Sequence, residues 1–194
     1  MISCLGNYLE RKFLRLPAGV DVQPFLDLLV LVVEHPSLVV SIPVLVTWMR
    51  LLSNGPIGTY IASTPLVGPL LEVCSSRLLR YENLPEDTRD PSYVLLLEDT
   101  DTLPERHAFL GNYRRYSAQI IESIVQLKLV DAFRHILGQA EAVLQRLDEG
   151  QPTFDGEPSS PASKGGCTLS AFLVLTAVPS SGEIRQELDV RFAS

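Results

Sequence analysis

Apolar residues recur at steps of three and four along most of the first 150 positions, the period of amphipathic helices. Ile2, Leu5, Leu9, Phe13 and Leu16 predict a helix over residues 2–16, ended by Pro17-Ala18-Gly19. Asp21 is placed to cap a second helix with Pro24 in its first turn. That helix is apolar nearly all round from Phe25 to Val33, which predicts burial between neighbours. His35-Pro36 ends it, because proline disfavours helical backbone at the preceding residue. Residues 37–53 are rich in β-branched side chains, yet Leu45, Trp48, Met49 and Leu52 keep helical spacing. A helix kinked or restarted at Pro43 is expected there. Asn54-Gly55-Pro56 marks a turn, and Thr64-Pro65 starts or bends another helix, clearest from Leu70 to Leu79.

From Tyr81 to Asp101 acids and turn formers dominate, around an apolar insert from Tyr93 to Leu97. Thr102 and Glu105 then make a capping-box pattern with Pro104 in the first turn. Phe109, Tyr113, Tyr116, Ile120, Ile124 and Leu127 line one face of the helix that follows. Phe133, Leu137, Ala140, Leu144 and Leu147 line the next, joined so tightly that the two are expected to be antiparallel neighbours. The fold class expected is all-α: helical hairpins of HEAT-like type over residues 1–149, as in a segment of an α-solenoid. A compact irregular bundle is the other arrangement compatible with this periodicity. Residues 150–194 differ, with a Pro/Gly/Ser-rich linker and then the apolar run Leu169 to Val178, and are expected to be disordered or atypical.

Charge changes the picture locally. The chain of 194 residues has a net charge of −7. The span from Glu82 to Glu105 holds eight acids against one base, Arg89, so it accounts for the whole excess. Such an acidic segment is either a connector or an electrostatic contact for a basic partner, with Glu98, Asp99 and Asp101 as its candidate residues. Arg106, Arg114, Arg115 and Lys128, with Tyr113 and Tyr116, form a basic-aromatic cluster. It reads as a solvated face paired with nearby acids or as a phosphate or RNA contact, and the acidic balance disfavours autonomous nucleic-acid binding.

Candidate chemistry is sparse. Cys4, Cys74 and Cys167 are odd in number and show no CxxC spacing, so neither a zinc site nor a disulfide framework is indicated. His35, His107 and His135 lack ligand partners at helical spacing; Gly111 occupies the position four residues after His107. No G-x-S-x-G motif and no phosphate-binding glycine loop occurs. No catalytic, cofactor-binding or metal-binding residue is assigned, and no small-molecule substrate is expected. The N-terminal residues carry charge where a secretory signal would be apolar. The apolar stretch Pro36 to Met49, interrupted by Pro43, falls short of the roughly 20 residues needed to span a bilayer, so no membrane insertion is expected.

Two stretches carry a family resemblance. DVQPFLDLLVLVVEHPSLVVSIPVLVTWMRLL is similar to the paired helices of exportin-5 type karyopherins, in which a helix ending in His-Pro-Ser leads into one with a central Thr-Trp. LLLEDTDTLPERHAFLGNYRRYSAQIIESIVQLKLVDAF resembles the acidic-to-helical stretch further along the same receptors, especially their fungal members. The resemblance covers about Met1 to Phe154. It implies a nuclear export receptor that binds the GTPase Ran in its GTP form together with RNA or protein cargo. It also implies passage through the pore by contact with nucleoporins, and shuttling between nucleus and cytoplasm. A helical-repeat scaffold unrelated to Ran is the alternative. The resemblance transfers no residue-level role, because such contacts are spread over large surfaces. Family chains are several times longer, and residues 155–194 lack further amphipathic helices. A truncation, splicing error or frame shift near Asp155 is therefore expected, as is marginal stability or self-association of the uncapped ends.

Overall fold

A computed structural model describes residues 2–78, 81 and 89–148, and among these every regular element is a helix. α1 runs Ile2–Lys12 and passes into a short 3-10 turn, Phe13–Arg15. Then come α2 (Gln23–Glu34), α3 (Leu38–Ser53), α4 (Gly55–Ser63), α5 (Val67–Ser76), α6 (Pro91–Asp99), α7 (Leu103–Leu127) and α8 (Leu129–Asp148).

The start of α2 differs from the expectation by one residue. Val22 is already in helical conformation and buried, so it is the cap, while the Asp21 carboxylate accepts from the Gln23 N–H at 2.9 Å. α2 is also not enclosed on all sides. Leu26, Leu29, Val30 and Val33 are buried, but Leu28 is 45% and Leu31 64% exposed, so one face is open.

α3 runs unbroken through Pro43, neither ending nor restarting there. Ser37 caps it by accepting from the Val40 N–H at 3.3 Å. Proline is tolerated because it lies within the second turn, where one missing ladder bond costs little beside the packing of Val44, Leu45, Trp48, Leu51 and Leu52. At Asn54 the chain bends by 102° into α4, a helix the residue pattern did not announce. The corner is tight: a Cβ added to Gly58 would lie 2.6 Å from the Leu52 carbonyl oxygen, which makes glycine the fitting residue. The Asn54 side-chain amide donates to the Glu10 carbonyl at 2.9 Å and ties the corner to α1.

α6 is the second unannounced helix. The insert around Tyr93 to Leu97, read as part of an acidic connector, is helical because Asp90 caps it and Pro91 opens its first turn. Asp90 accepts from the Tyr93 N–H at 2.9 Å, and Tyr93 and Leu96 are buried. Residues 82–88 of the acidic span lie outside the described residues.

Thr102 caps α7 as expected, while Glu105 reaches back one residue beyond the cap. Thr102 Oγ1 accepts from the Glu105 N–H, and the Glu105 carboxylate accepts from the Asp101 N–H, both at 3.3 Å. Its buried face is broader than the expected stripe: Leu110, Ser117, Ile121 and Val125 join Tyr113, Ile120 and Ile124, while Phe109, Tyr116 and Leu127 sit half-buried at the margin. One residue, Lys128, separates α7 from α8, where Ala132, Phe133, Ile136 and Leu137 are buried. The expected Ala140, Leu144 and Leu147 side chains fall outside the described ones.

The most extensive helix contact joins α3 and α7, elements distant in the chain. α3 also packs on α1, α2, α4 and α6, and α7 on α4, α5 and α8, so one continuous core links all eight helices. Trp48 and Tyr113 are the largest fully enclosed side chains within it. Tyr113 OH and Ser41 Oγ lie 2.8 Å apart, which satisfies both hydroxyls inside the α3–α7 seam. Among the described residues no single helix is long and apolar enough to cross a membrane.

Candidate functional site

Four of the six candidate contact residues meet at the corner between α6 and α7. Glu98 and Asp99 end α6, Asp101 lies between the helices and Arg106 is on the first turns of α7, so the acids are helix-end residues rather than a free loop. Carboxylates at the end of α6 are unfavourably placed against that helix's own dipole. Asp99 is committed: its Oδ2 accepts from Ser37 Oγ at 3.3 Å, and that same hydroxyl caps α3. The Ser37 N–H in turn donates to His35 Nδ1 at 3.1 Å. Arg106 Nε donates to Thr100 Oγ1 at 3.1 Å, and the buried Thr100 hydroxyl donates to the Leu96 carbonyl at 2.6 Å. Asp99, Thr100 and Arg106 therefore brace the corner. Glu98 and Asp101 present exposed carboxylates to solvent.

Arg114 and Arg115 are not brought to this corner. Arg115 lies nine residues beyond Arg106 on α7, which places it roughly 13 Å along the axis. Its guanidinium sits over the Tyr116 ring, 5.0 Å from the centroid, and donates to the Tyr116 hydroxyl at 3.4 Å. Arg115 is exposed and Arg114 half-buried. The cluster read as one from spacing is thus spread out, with Arg106 near the start of α7, Arg114 and Arg115 midway along it, and Lys128 after its end, 3.3 Å from Asp131.

Two arrangements escaped sequence reasoning. Arg77, the residue after α5, donates to Ser92 Oγ at 2.7 Å and Tyr81 OH at 3.5 Å, and to the carbonyls of Glu34 and His35 at 3.1 Å each. One guanidinium so caps the end of α2 and joins it to the start of α6. Nothing in the local pattern signals this, because its partners lie more than 40 residues away in the α2 case. The second is an exposed face of α1, where Tyr8, Arg11 and Lys12 sit together beside Cys4.

The chemistry of these places is that of binding and bracing. Among the described residues no group of three or more His, Cys, Asp or Glu side chains could hold a metal ion. The Cys74 thiol is pushed up to about 12 by burial, partly offset by Arg77, and so stays protonated and unreactive. His107 is exposed, and His135 lies 3.6 Å from Glu72 at the contact of α8 with α5. An open polar groove between α1, α3 and α7 is lined by Glu10, Arg50, Gln119, Glu122, Ser123 and Gln126. Arg50 is held there by Asn7 at 2.7 Å.

The family model described as Exportin-5 matches residues 1–176. The chain belongs to the exportin-5 family. The match runs past Phe154, through the change of composition near Asp155, and into the apolar run that begins at Leu169. A relative in Schizosaccharomyces pombe, described as an uncharacterized protein, is 28% identical over 188 residues, covering 89% of this chain and 15% of that protein. The chain thus spans about 15% of the curated relative it matches. No solved structure matches. Membership in the exportin-5 family agrees with the all-helical architecture of the described residues.

Proposed function

We propose that this chain works in nuclear export as part of the binding surface of an exportin-5 type transport receptor. It engages RNA or protein cargo together with Ran-GTP and shuttles between nucleus and cytoplasm, with nucleoporins as its contacts in the pore. The observation that carries this reading is the family match over residues 1–176. The mechanism is linkage rather than catalysis: Ran-GTP and cargo raise each other's affinity by the same factor, commonly about 5- to 150-fold. Hydrolysis of GTP on Ran then releases both.

Within the described surface, Glu98, Asp101 and Arg115 are the best placed of the candidate contacts, because they are exposed, whereas Asp99 and Arg106 brace the helix corner. The test is equilibrium binding of the full-length gene product to Ran loaded with a non-hydrolysable GTP analogue, with and without a structured RNA or a cargo protein. Mutual strengthening of the two ligands is expected, with none for Ran-GDP. Absence of Ran binding in either nucleotide state would replace this reading by a helical scaffold unrelated to Ran.

A further inference from the structure

α1 turns one side to solvent, and that side is basic. Leu5 is 45% and Tyr8 52% exposed, three positions apart and so neighbours on the helix surface. Arg11 and Lys12 lie three and four positions beyond Tyr8, one turn further along. Cys4, Asn7, Tyr8, Arg11 and Lys12 line a shallow open groove of about 360 Å³, and the exposed Arg15 follows on the 3-10 turn. The helix dipole favours cations in a last turn, but it leaves their side-chain donors uncommitted. Among the described residues Arg11, Lys12 and Arg15 make no side-chain hydrogen bond or ion pair. No acid shares this side of α1: its one carboxylate, Glu10, lines the groove between α1, α3 and α7.

The surroundings reinforce the charge. α3 packs on α1 and α4 on the 3-10 turn, and neither contains an acid. Residues 1–16 and 37–63 hold four bases against one acid, while the rest of the chain holds 12 bases against 22 acids. The α1 side is thus an electropositive place on an acidic chain, which selects an anionic partner. Its form selects the kind. A long polyanion such as RNA draws its affinity from many phosphate contacts, and beyond these three cations it would meet the acidic remainder. Leu5 gains nothing from a phosphate backbone. A short protein segment with carboxylates beside an aliphatic or aromatic residue matches both halves, the cations and the apolar pair.

We propose that the side of α1 presented by Leu5, Tyr8, Arg11, Lys12 and Arg15 is a docking surface for an acidic, partly apolar protein segment. Carboxylates of the segment pair with Arg11, Lys12 and Arg15, and its apolar side chain lies on Tyr8 and Leu5. The contact requires neither Ran nor RNA, so it stands or falls apart from the transport reading.

The probe is a fluorescein-labelled synthetic peptide built from Glu, Asp, Leu and Phe, titrated with the full chain and followed by fluorescence anisotropy. A control peptide keeps the acids but has Ser in place of Leu and Phe. The first peptide is expected to bind, more weakly as salt rises, and at least about 10-fold more tightly than the control. Arg11→Ser/Lys12→Ser and Tyr8→Ala are each expected to lower its affinity at least about 10-fold. Arg134→Ser, on an exposed part of α8, is expected to leave it unchanged. All these positions are exposed, so the variants should keep the parent melting temperature, which separates a lost contact from a lost fold. No binding, or undiminished binding by Tyr8→Ala and Arg11→Ser/Lys12→Ser, would overturn the proposal. So would a duplex RNA that binds the same side more tightly than the peptide, or self-association that the same substitutions abolish, since these give the side to nucleic acid or to a second copy.

Discussion

The α3–α7 seam and the α6–α7 corner share a helix but do opposite work. In the seam, Trp48, Leu45, Leu51, Tyr113, Ile120 and Ile121 are enclosed, and the Tyr113 hydroxyl is satisfied by Ser41. At the corner, Glu98 and Asp101 face solvent while their neighbours Asp99, Thr100 and Arg106 hold helix ends together, and further along α7 Arg115 is exposed as well. The difference separates two meanings of a charged residue. A charge that caps or braces is fixed by hydrogen bonds that can be named, and a charge left on an exposed face is available to a partner.

The comparison breaks first at the seam. Trp48→Ala is expected to cost about 3–5 kcal/mol in urea unfolding, because it empties a fully enclosed site in the core. A loss below about 1 kcal/mol would mean that the seam is not closely packed.

Alkali should come next. Burial raises the Tyr113 hydroxyl from 10.0 to about 12, opposed mainly by its hydrogen bond with Ser41, and raises the Cys74 thiol from 9.0 to about 12. Both groups are held neutral in the fold. Their stabilisation is complete below pH 9 and falls as pH rises from 9 for Cys74, and from 10 for Tyr113, toward 12. A melting-temperature profile that drops through this window, and drops less in Tyr113→Phe, is the expected outcome. A flat profile would place both groups in contact with water.

At the corner and along the exposed side of α7 the effects shrink. Thr102→Ala removes the α7 cap and should cost about 1 kcal/mol in the same unfolding assay. Arg115→Ala should change stability by less than about 0.5 kcal/mol, since its ring contact with Tyr116 is exposed. If Arg115→Ala matched Thr102→Ala, the arginine would be a brace and would leave the set of partner contacts.

Much of the architecture was legible in the residues. The helix start at Thr102, the stop at His35-Pro36 and the buried positions Trp48, Tyr113, Ile120 and Ile124 all follow from local chemistry, whereas the cap at Ser37 went unread. Two helices did not. α4 begins at Gly55-Pro56 directly after the α3 end, where Asn-Gly-Pro reads as a turn, and only the Asn54–Glu10 tie and the close approach at Gly58 make the corner helical on both sides. α6 is short, and its apolar residues are few enough to be hidden among acids until Asp90 and Pro91 are read as a start. The candidate site was legible by residue type but not by role. Asp99 and Glu98 are neighbours of identical charge class, yet one is bound to Ser37, a partner 62 positions away.

The amino-acid sequence by itself determined the all-α class, the stop at His35-Pro36 and the helix start at Thr102, because periodicity and capping act over a few residues at a time. It also placed the negative charge in the Glu82–Glu105 span, and its similarity to the exportin-5 family is a property of the residues alone. Only the tertiary structure decided that α3 and α7 share the main seam, that Arg77 joins α2, α5 and α6, and that α2 leaves Leu28 and Leu31 exposed. Each of these depends on residues far apart in the chain whose burial and hydrogen bonding are set by packing, and packing has no local signature.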